Sequence, residues 1–271
     1  MSKKALCVGI NDYPYDGSDL NGCVNDAKAW ADLLIKHYDF ASTDVKLLTN
    51  AKATKAAIKA RLEALLTGAK AGDVLVFTNS SHGTYVADTN GDEERYDEAM
   101  CPYDCADNLL VDDELRELFA NMPKDVQLDV ISDSCYSGTV TRAAVAEVIP
   151  GLKTPDDRRV RFLSPALRGA TVLQNPWKAQ PKGKDKHPES KMKEILLSGC
   201  TDKEYSYDAL IDGMYHGAMT YFALQAIKEA NYAPTWGQMH TRLATFIDGA
   251  GYPQHPQIEG GSANKKRQIF T

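Results

Sequence analysis

The chain has 271 residues, of which 43% are hydrophobic and 25% charged, and its formal net charge is −6. This composition is ordinary for a globular α/β protein with a sizeable core, and interspersed acids and bases predict no nucleic-acid partner. The first apolar run stops at Asn11, too short for a signal-peptide core, and no run approaches the roughly 18 residues of a membrane helix. We therefore expect a cytoplasmic location and no membrane partner.

Apolar runs alternate with helix-patterned segments from the start of the chain. The predicted order is strand 4–10, helix 24–38, strand 45–49, helix 53–68, strand 73–80, helix 112–122 and strand 126–132. Thr54 is the predicted N-cap of the second helix. This alternation predicts an α/β fold in which helices cover both faces of a mostly parallel sheet.

The regular pattern is lost in two places. Residues 82–108 are polar and turn-rich, which is typical of an elaborated loop or hairpin, and residues 143–193 are irregular and rich in Pro and Lys. A strand at 194–200 and helices at 217–230 and 235–248 follow. We predict a single domain over 1–271, with a larger part (1–142), a linker or insertion (143–193) and a smaller part (194–271).

The six cysteines are scattered, which favours reduced thiols over a disulfide framework. Cys135 differs from a structural cysteine because it follows a buried strand, in "SDSCYSG". His82 follows the preceding strand in the same way, in "NSSHGT". If the two strands are parallel neighbours, both side chains emerge at one sheet edge, where an imidazole can activate a thiol as a nucleophile. Gly83 and Gly138 would let backbone N–H groups approach a developing oxyanion.

Taken alone, each residue could have a structural role, Cys135 as a structural thiol and His82 as a turn residue. A series of motifs favours the catalytic role for both: "ALCVGINDYP", "LNGCVNDAKAW", "SSHGT", "DTNGDEERYDEAMCPYD", "VDDEL", "DSCYSG" and "PQIEGGSANKKRQIF". In this order they resemble the metacaspases and their bacterial relatives, in the caspase-like clan of cysteine peptidases. His82 precedes Cys135 by 53 residues (135 − 82), close to the spacing of about 50 in caspases.

The resemblance implies a caspase-like three-layer α/β/α sandwich. It makes His82 the general base and acid, Cys135 the nucleophile, and the backbone N–H groups of Gly83 and Cys135 the oxyanion hole. Of the other histidines, His37 lies on a helix away from the sheet edge, and the remaining four follow Cys135 in the wrong order for this family. The sequence indicates no third residue that would orient His82.

The resemblance also implies a pocket for Arg or Lys, formed by Cys23, Asp26, Ser80 and Asp133. Two converging carboxylates suit a guanidinium or ammonium group, and the planar fork of Arg favours Arg over Lys. The alternative is that Asp26 is a first-turn helix acid and Asp133 a turn acid. The expected partners are peptides or proteins with basic residues, and the protein is expected to be a monomer.

No cofactor is required by this chemistry, and calcium is the one candidate ligand. The resemblance places it on Asp97, Asp112 and Asp113, and carboxylates are the ligands that Ca²⁺ prefers. Arg142 stands where the family has a further aspartate, and the acids could equally form a helix N-terminus.

Self-processing is a further expectation for an Arg/Lys-specific enzyme. The linker offers several basic residues, namely Lys153, Arg158, Arg159, Arg168, Lys178, Lys182, Lys184 and Lys186. An inert, solvated insertion is the alternative.

The sequence therefore predicts a cysteine endopeptidase that cleaves after Arg or Lys through a Cys–His dyad. Two other functions stay open at this point: a catalytically silent caspase-like binding scaffold and a calcium-sensing regulatory module.

Overall fold

A computed structural model describes residues 1–87, 96–135, 158–165, 192–201 and 203–271. Its strands are β1 (Lys3–Gly9), β2 (Val45–Thr49), β3 (Val74–Ser80), β4 (Gly83–Ala87), β5 (Tyr96–Met100), β6 (Leu110–Val111), β7 (Gln127–Asp133), β8 (Arg159–Val160), β9 (Ile195–Ser198), β10 (Tyr207–Ile211), β11 (Met214–Gly217) and β12 (Gln257–Glu259). Its α-helices are α1 (Cys23–His37), α2 (Lys55–Leu66), α3 (Asp112–Ala120), α4 (Ala218–Glu229), α5 (Trp236–Gly249) and α6 (Ser262–Lys265).

The central sheet has six strands in the order β12-β9-β7-β3-β1-β2. Every neighbouring pair is parallel except β9 and β12, which are antiparallel. The prediction of a mostly parallel sheet is confirmed. The sheet joins strands of the larger part to strands of the smaller part, through the pairing of β7 with β9.

Alternation along the strands builds a core on each face of the sheet. In β1, Ala5 and Cys7 belong to the core that includes residues of α1, α4 and α5, whereas Leu6 and Val8 belong to the core that includes residues of α2 and α3. Helices therefore cover both faces, as the sequence predicts. The cap of α2 is also confirmed, because Thr54 Oγ1 accepts a hydrogen bond from the Ala57 N–H at 3.2 Å.

Two small sheets flank the C-terminal edge of the central sheet, with the orders β4-β5-β6 and β11-β10-β8. The first includes an antiparallel β4–β5 pair, which is the hairpin alternative for residues 82–108. The second is a difference from the prediction, which places no strands at β8, β10 and β11. Among the described residues, no helix has the length and apolar character needed to span a membrane.

Candidate active site

The two strands that precede His82 and Cys135 are direct neighbours in the central sheet. β3 and β7 run parallel, and Ser80 pairs with Asp133 at their C-terminal ends. His82 and Cys135 each follow that pair by two residues. The structure therefore brings both residues to one edge of the sheet, as expected from the chain order.

A backbone carbonyl orients the His82 imidazole. Nε2 lies 2.7 Å from the Ser18 carbonyl oxygen, and the ring packs against Tyr13 with a centroid distance of 5.0 Å. Because a carbonyl only accepts, Nε2 carries the proton and Nδ1 is the bare nitrogen. Nδ1 is buried and has no hydrogen-bond partner among the residues that the structure describes. Burial lowers the pKa of His82 to about 4, although the Ser18 hydrogen bond opposes this effect.

Cys135 is fully buried at the start of the loop after β7. Its thiol donates a hydrogen bond to the Glu204 carbonyl oxygen at 3.0 Å. Its backbone N–H donates to the carbonyl oxygen of Arg161 at 3.3 Å, and the Gly83 N–H donates to the same oxygen at 3.0 Å. The two N–H groups expected to form an oxyanion hole therefore converge on one peptide carbonyl of the chain itself.

The segment that carries Arg161 lies between β10 and β4. β8, immediately before Arg161, pairs antiparallel with β10. The Arg161 N–H donates to the Ser206 carbonyl oxygen at 2.9 Å, and the Leu163 N–H donates to the Gly83 carbonyl oxygen at 2.9 Å. Backbone hydrogen bonds thus hold the chain on both sides of the Arg161 carbonyl, in the manner of a peptide added to a sheet edge.

The Arg161 side chain fills a buried acidic pocket. Nη2 lies 2.7 Å from Asp26 Oδ2 and 2.9 Å from Asp208 Oδ1. Nη1 lies 2.6 Å from Ser80 Oγ and 3.1 Å from the Asp133 carbonyl oxygen, with Asp133 Oδ2 at 3.4 Å. All three ion-paired carboxylates and the guanidinium are fully buried. The two guanidinium nitrogens therefore make separate sets of contacts.

Separate donors hold the three carboxylates in place. Asp133 accepts hydrogen bonds from the hydroxyls of Ser206 (2.6 Å) and Thr220 (2.7 Å). Asp26 accepts from the Gly217 N–H and from Ser80 Oγ, while Asp208 accepts from the backbone N–H groups of residues 21 and 22. Since the contacts come from several elements, the pocket is assembled by the whole sheet edge.

The electrostatics of the pocket follow from burial and from the Arg161 charge. Burial raises the pKa of Asp208, although Arg161 opposes the increase. For Asp26, burial acts in the same direction, but the Arg161 charge and the hydrogen bonds outweigh it and its pKa is lowered. Burial also raises the pKa of the Cys23 thiol, against the opposing charge of Arg161.

The structure brings together all four residues expected to line the pocket. Asp26, Ser80 and Asp133 contact Arg161 directly, and Cys23 is buried within the electrostatic reach of its guanidinium. Asp208 and the Ser18 carbonyl are site groups that the sequence did not predict. Arg161 was likewise not among the basic residues expected to matter in the linker. Gly138 and Arg142 lie outside the described residues.

The acids expected to bind calcium lie at β5 and at the start of α3. Asp97 is buried, and Asp112 forms an ion pair with Arg116 Nε at 3.5 Å. Asp112 Oδ1 is buried without a hydrogen-bond partner in the described ranges. No group of three or more His, Cys, Asp or Glu residues within these ranges could hold a metal ion. The described acids alone therefore do not form a calcium site, and calcium binding stays a prediction.

Comparisons with known proteins identify the family of the chain. A family model described as metacaspase, peptidase C14 domain, matches residues 3–144. Metacaspase-1 of Arabidopsis thaliana is 33% identical over 260 residues, covering 92% of this chain and 65% of that protein. Metacaspase-1 of Scheffersomyces stipitis is 31% identical over 289 residues, covering 94% of this chain and 70% of that protein. The chain thus spans about two thirds of the length of these relatives.

Solved structures give the same fold. A crystal structure of a Geobacter sulfurreducens protein superposes with a TM-score of 0.74 at 25% identity, covering 100% of this chain and 99% of that one. Caspase-1 of Spodoptera frugiperda superposes with a TM-score of 0.54 at 10% identity, covering 95% and 86%. The fold class is therefore a caspase-like α/β sandwich. Within that class, the chain belongs to the metacaspase family.

Proposed function

We propose that this protein is a cysteine endopeptidase that cleaves peptide bonds after Arg, and less well after Lys, through His82 and Cys135. One observation carries the proposal. Arg161 places its carbonyl oxygen on the Gly83 and Cys135 N–H groups while its guanidinium fills a pocket with three carboxylates. The residue that precedes a scissile bond has to place its carbonyl oxygen in the oxyanion hole and its side chain in the specificity pocket at the same time.

The chemistry begins with proton transfer from the Cys135 thiol to His82 Nδ1. The sulfur attacks the carbonyl carbon of the arginine residue, and the electron pair of the C=O bond moves onto oxygen. His82 then gives its proton to the leaving amine as the C–N bond breaks, which leaves a thioester on Cys135. A water molecule, activated by the same imidazole, hydrolyses the thioester and restores the thiol.

The backbone stabilises the charge that develops on oxygen. The N–H groups of Gly83 and Cys135 lie 3.0 and 3.3 Å from the Arg161 oxygen, and they can tighten as that oxygen becomes negative. The Ser18 carbonyl holds Nε2–H, so the bare Nδ1 is the nitrogen that accepts the thiol proton. The burial that lowers the pKa of His82 keeps the imidazole neutral at pH 7, which is the form that acts as a base.

Self-processing is part of this proposal, and its cleavage site is the bond between Arg161 and Phe162. The sequence alone offered eight other basic residues in the linker. Two of these, Arg158 and Arg159, have side chains outside the acidic pocket: Arg158 lies over the Tyr252 ring, and Arg159 bonds to the Asp19 carbonyl. The position of Arg161 distinguishes it from these neighbours.

Intact-mass spectrometry of the incubated chain tests this directly. We expect the wild type to give fragments 1–161 and 162–271, and Cys135→Ala to stay whole. Arg161→Ala should lose this cut, whereas Arg159→Ala, changed two residues away, should retain it. The same cut in Cys135→Ala, or a wild type that stays intact while cleaving added Arg peptides, would contradict the assignment of the Arg161–Phe162 bond.

Calcium dependence is a separate part of the proposal. The buried, unpartnered Asp112 Oδ1 supports it, but ligands beyond the described residues would have to complete the coordination shell. We expect Ca²⁺ to speed self-cleavage of chelator-treated protein, and Asp112→Asn to abolish this response while Asp107→Asn keeps it. Equal rates with Ca²⁺ and with chelator would remove calcium from the proposal.

A further inference from the structure

A second cysteine lies beside the proposed nucleophile. The thiols of Cys135 and Cys200 both donate to the Glu204 carbonyl oxygen, at 3.0 and 3.4 Å. They share a small core cluster in which Phe162 is also buried. The hydrogen bond with Cys135 is also the largest cause of the raised pKa of Cys200, ahead of burial. The two sulfur atoms are therefore direct neighbours.

The sheet explains why the two thiols meet. Cys135 follows β7 and Cys200 follows β9, and these strands are parallel neighbours with Ser132 paired to Ser198. The Gly199 N–H still donates to the Ser132 carbonyl oxygen at 3.0 Å, so the two chains stay together beyond the strand ends. Neighbouring strands lie about 4.8 Å apart, and disulfides bridge Cα atoms that are about 4.4–6.8 Å apart.

We propose that Cys135 and Cys200 form a reversible disulfide on exposure to a peroxide, and that this bond switches off the peptidase. Formation of the bond requires the two thiols and the peroxide, but no peptidase activity. Its inhibitory effect rests on the proposed function, because it removes the sulfur that would attack the substrate. Nothing in the proposed catalytic cycle requires Cys200. The proposed disulfide gives this second thiol a function.

The oxidation balances with one molecule of hydrogen peroxide. The Cys135 sulfur attacks one peroxide oxygen, the O–O bond breaks, and the products are a sulfenic acid and water. The Cys200 sulfur then attacks the Cys135 sulfur, and its proton leaves with the hydroxyl group as a second water. Two thiols are oxidised to one disulfide, and the peroxide is reduced to two waters. A dithiol reductant reverses the process by thiol–disulfide exchange.

The segment 158–165, which carries Arg161 and Phe162, shields both thiols. Cys135 is fully buried and Cys200 is 8% exposed while Phe162 packs against them. A peroxide reaches the thiols more readily once this segment has left, so we expect oxidation to be faster after cleavage at Arg161 than before it. Arg161 would then protect the uncleaved chain from oxidation as well as fill the pocket.

Peptide mapping tests the bond without reference to activity. The full chain is treated with hydrogen peroxide, free thiols are alkylated, and the chain is digested without reduction. We expect a cross-linked pair of peptides that carry Cys135 and Cys200, lighter than their sum by two hydrogen atoms. A reductant should release the pair. Because mass is the readout, a protein without peptidase activity would still report whether the bond forms.

Three variants complete the test. Cys200→Ser should lose the cross-link and drive Cys135 to sulfinic and sulfonic acids, which a dithiol does not reverse; Cys200→Ala repeats the test with a side chain that cannot hydrogen-bond. Cys105→Ser is the matched control, since Cys105 is buried in a different core, and should keep the cross-link. Overoxidation of Cys135 in the wild type without a cross-link, or a cross-link to another cysteine, would overturn the proposal.

Discussion

At the residue scale, the two terminal nitrogens of the Arg161 guanidinium have different partners in the pocket. Nη2 bridges Asp26 and Asp208, while Nη1 contacts Ser80 and the Asp133 carbonyl. A lysine has one terminal nitrogen and cannot occupy both positions. Charge-assisted hydrogen bonds contribute about 1.5–3 kcal/mol each, so losing a single one of them corresponds to roughly a 10- to 150-fold difference in kcat/KM.

We therefore expect fluorogenic peptides with Arg before the scissile bond to be cleaved at least roughly tenfold better than the matched Lys peptides, and Asp peptides not to be cleaved. Asp208→Asn should narrow the Arg-over-Lys ratio, because it removes one partner of Nη2. The matched control is Asp212→Asn, since Asp212 bonds to Tyr221 outside the pocket. Cleavage after Asp, or an unchanged ratio in Asp208→Asn, would contradict the pocket assignment.

His82 gives a prediction about stability and pH. Its pKa falls from 6.5 to about 4 because it is buried. Between these values the unfolded chain binds a proton that the folded chain does not, so stability falls as the pH drops below about 6.5 and the loss is complete near pH 4. Titration of His82 alone therefore lowers the free energy of unfolding by about 2 kcal/mol between pH 7 and pH 5.

Denaturant unfolding measures this contribution in the uncleaved Cys135→Ala background. We expect the free energy of unfolding to fall by about 2 kcal/mol more in that variant than in the double variant with His82→Gln, over the same pH range. The acidic groups of the pocket are common to both proteins and cancel in the comparison. Parallel pH dependences would show that His82 already titrates normally in the folded chain.

How much of the site can be predicted depends on the kind of group involved. His82 and Cys135 follow apolar strands, and their meeting at one edge requires only that the strands be parallel neighbours. The Ser18 carbonyl carries no side-chain signal, since every residue has such an oxygen. Asp208 lies on β10, in a sheet that the pattern did not reveal. Arg161 is one basic residue among many in the sequence, and only the positions of its carbonyl oxygen and its guanidinium in the fold distinguish it.

At the element scale, the sequence does contain a turn signal for the β10–β11 hairpin, which was not predicted. β10 and β11 are joined by Asp212-Gly213, both with positive φ (50° and 80°), and Ile211 pairs with Met214. An Asp-Gly pair between two apolar stretches is typical of a tight hairpin turn. This hairpin carries Asp208 on one strand and Gly217 at the end of the other. The turn therefore predicts the hairpin, but not the contact of Asp208 with Arg161.

Gly217 joins β11 to α4 and closes one wall of the pocket. A Cβ atom there would overlap Asp133 Oδ2 and Arg161 Nη1, although the backbone angles suit alanine (φ −67°, ψ 132°). Overpacking of this kind costs about 1–3 kcal/mol, so we expect Gly217→Ala to lower kcat/KM for Arg peptides by roughly 5- to 150-fold.

Gly249→Ala is the matched control, because no heavy atom lies within 4 Å of a Cβ at that glycine. Thermal unfolding of both variants in the Cys135→Ala background separates loss of the pocket from loss of the fold. If Gly217→Ala cleaves Arg peptides at the control rate, the guanidinium does not sit against this wall during turnover.

At the scale of the whole molecule, the proposed cut divides a sheet rather than a pair of domains. β7 lies before Arg161 and β9 after it, and the two strands pair over four residues. One core contains Trp30 and Ile131 from the first fragment together with Phe222 and Trp236 from the second. Separating the fragments would expose this core, at a cost of about 25 cal/mol for each Å² of apolar surface.

The fragments produced by self-cleavage should therefore stay associated under native conditions. We expect size-exclusion chromatography and native mass spectrometry of the cleaved wild type to give one species close to the 29.8 kDa of the chain, increased only by the water of hydrolysis. Denaturant should separate residues 1–161 from residues 162–271, whereas Cys135→Ala gives a single chain in both conditions. Independent elution of the two fragments without denaturant would mean that the shared sheet does not survive the cut. The pocket could not then persist as an active site either, because Asp26 and Asp133 lie in one fragment and Asp208 in the other.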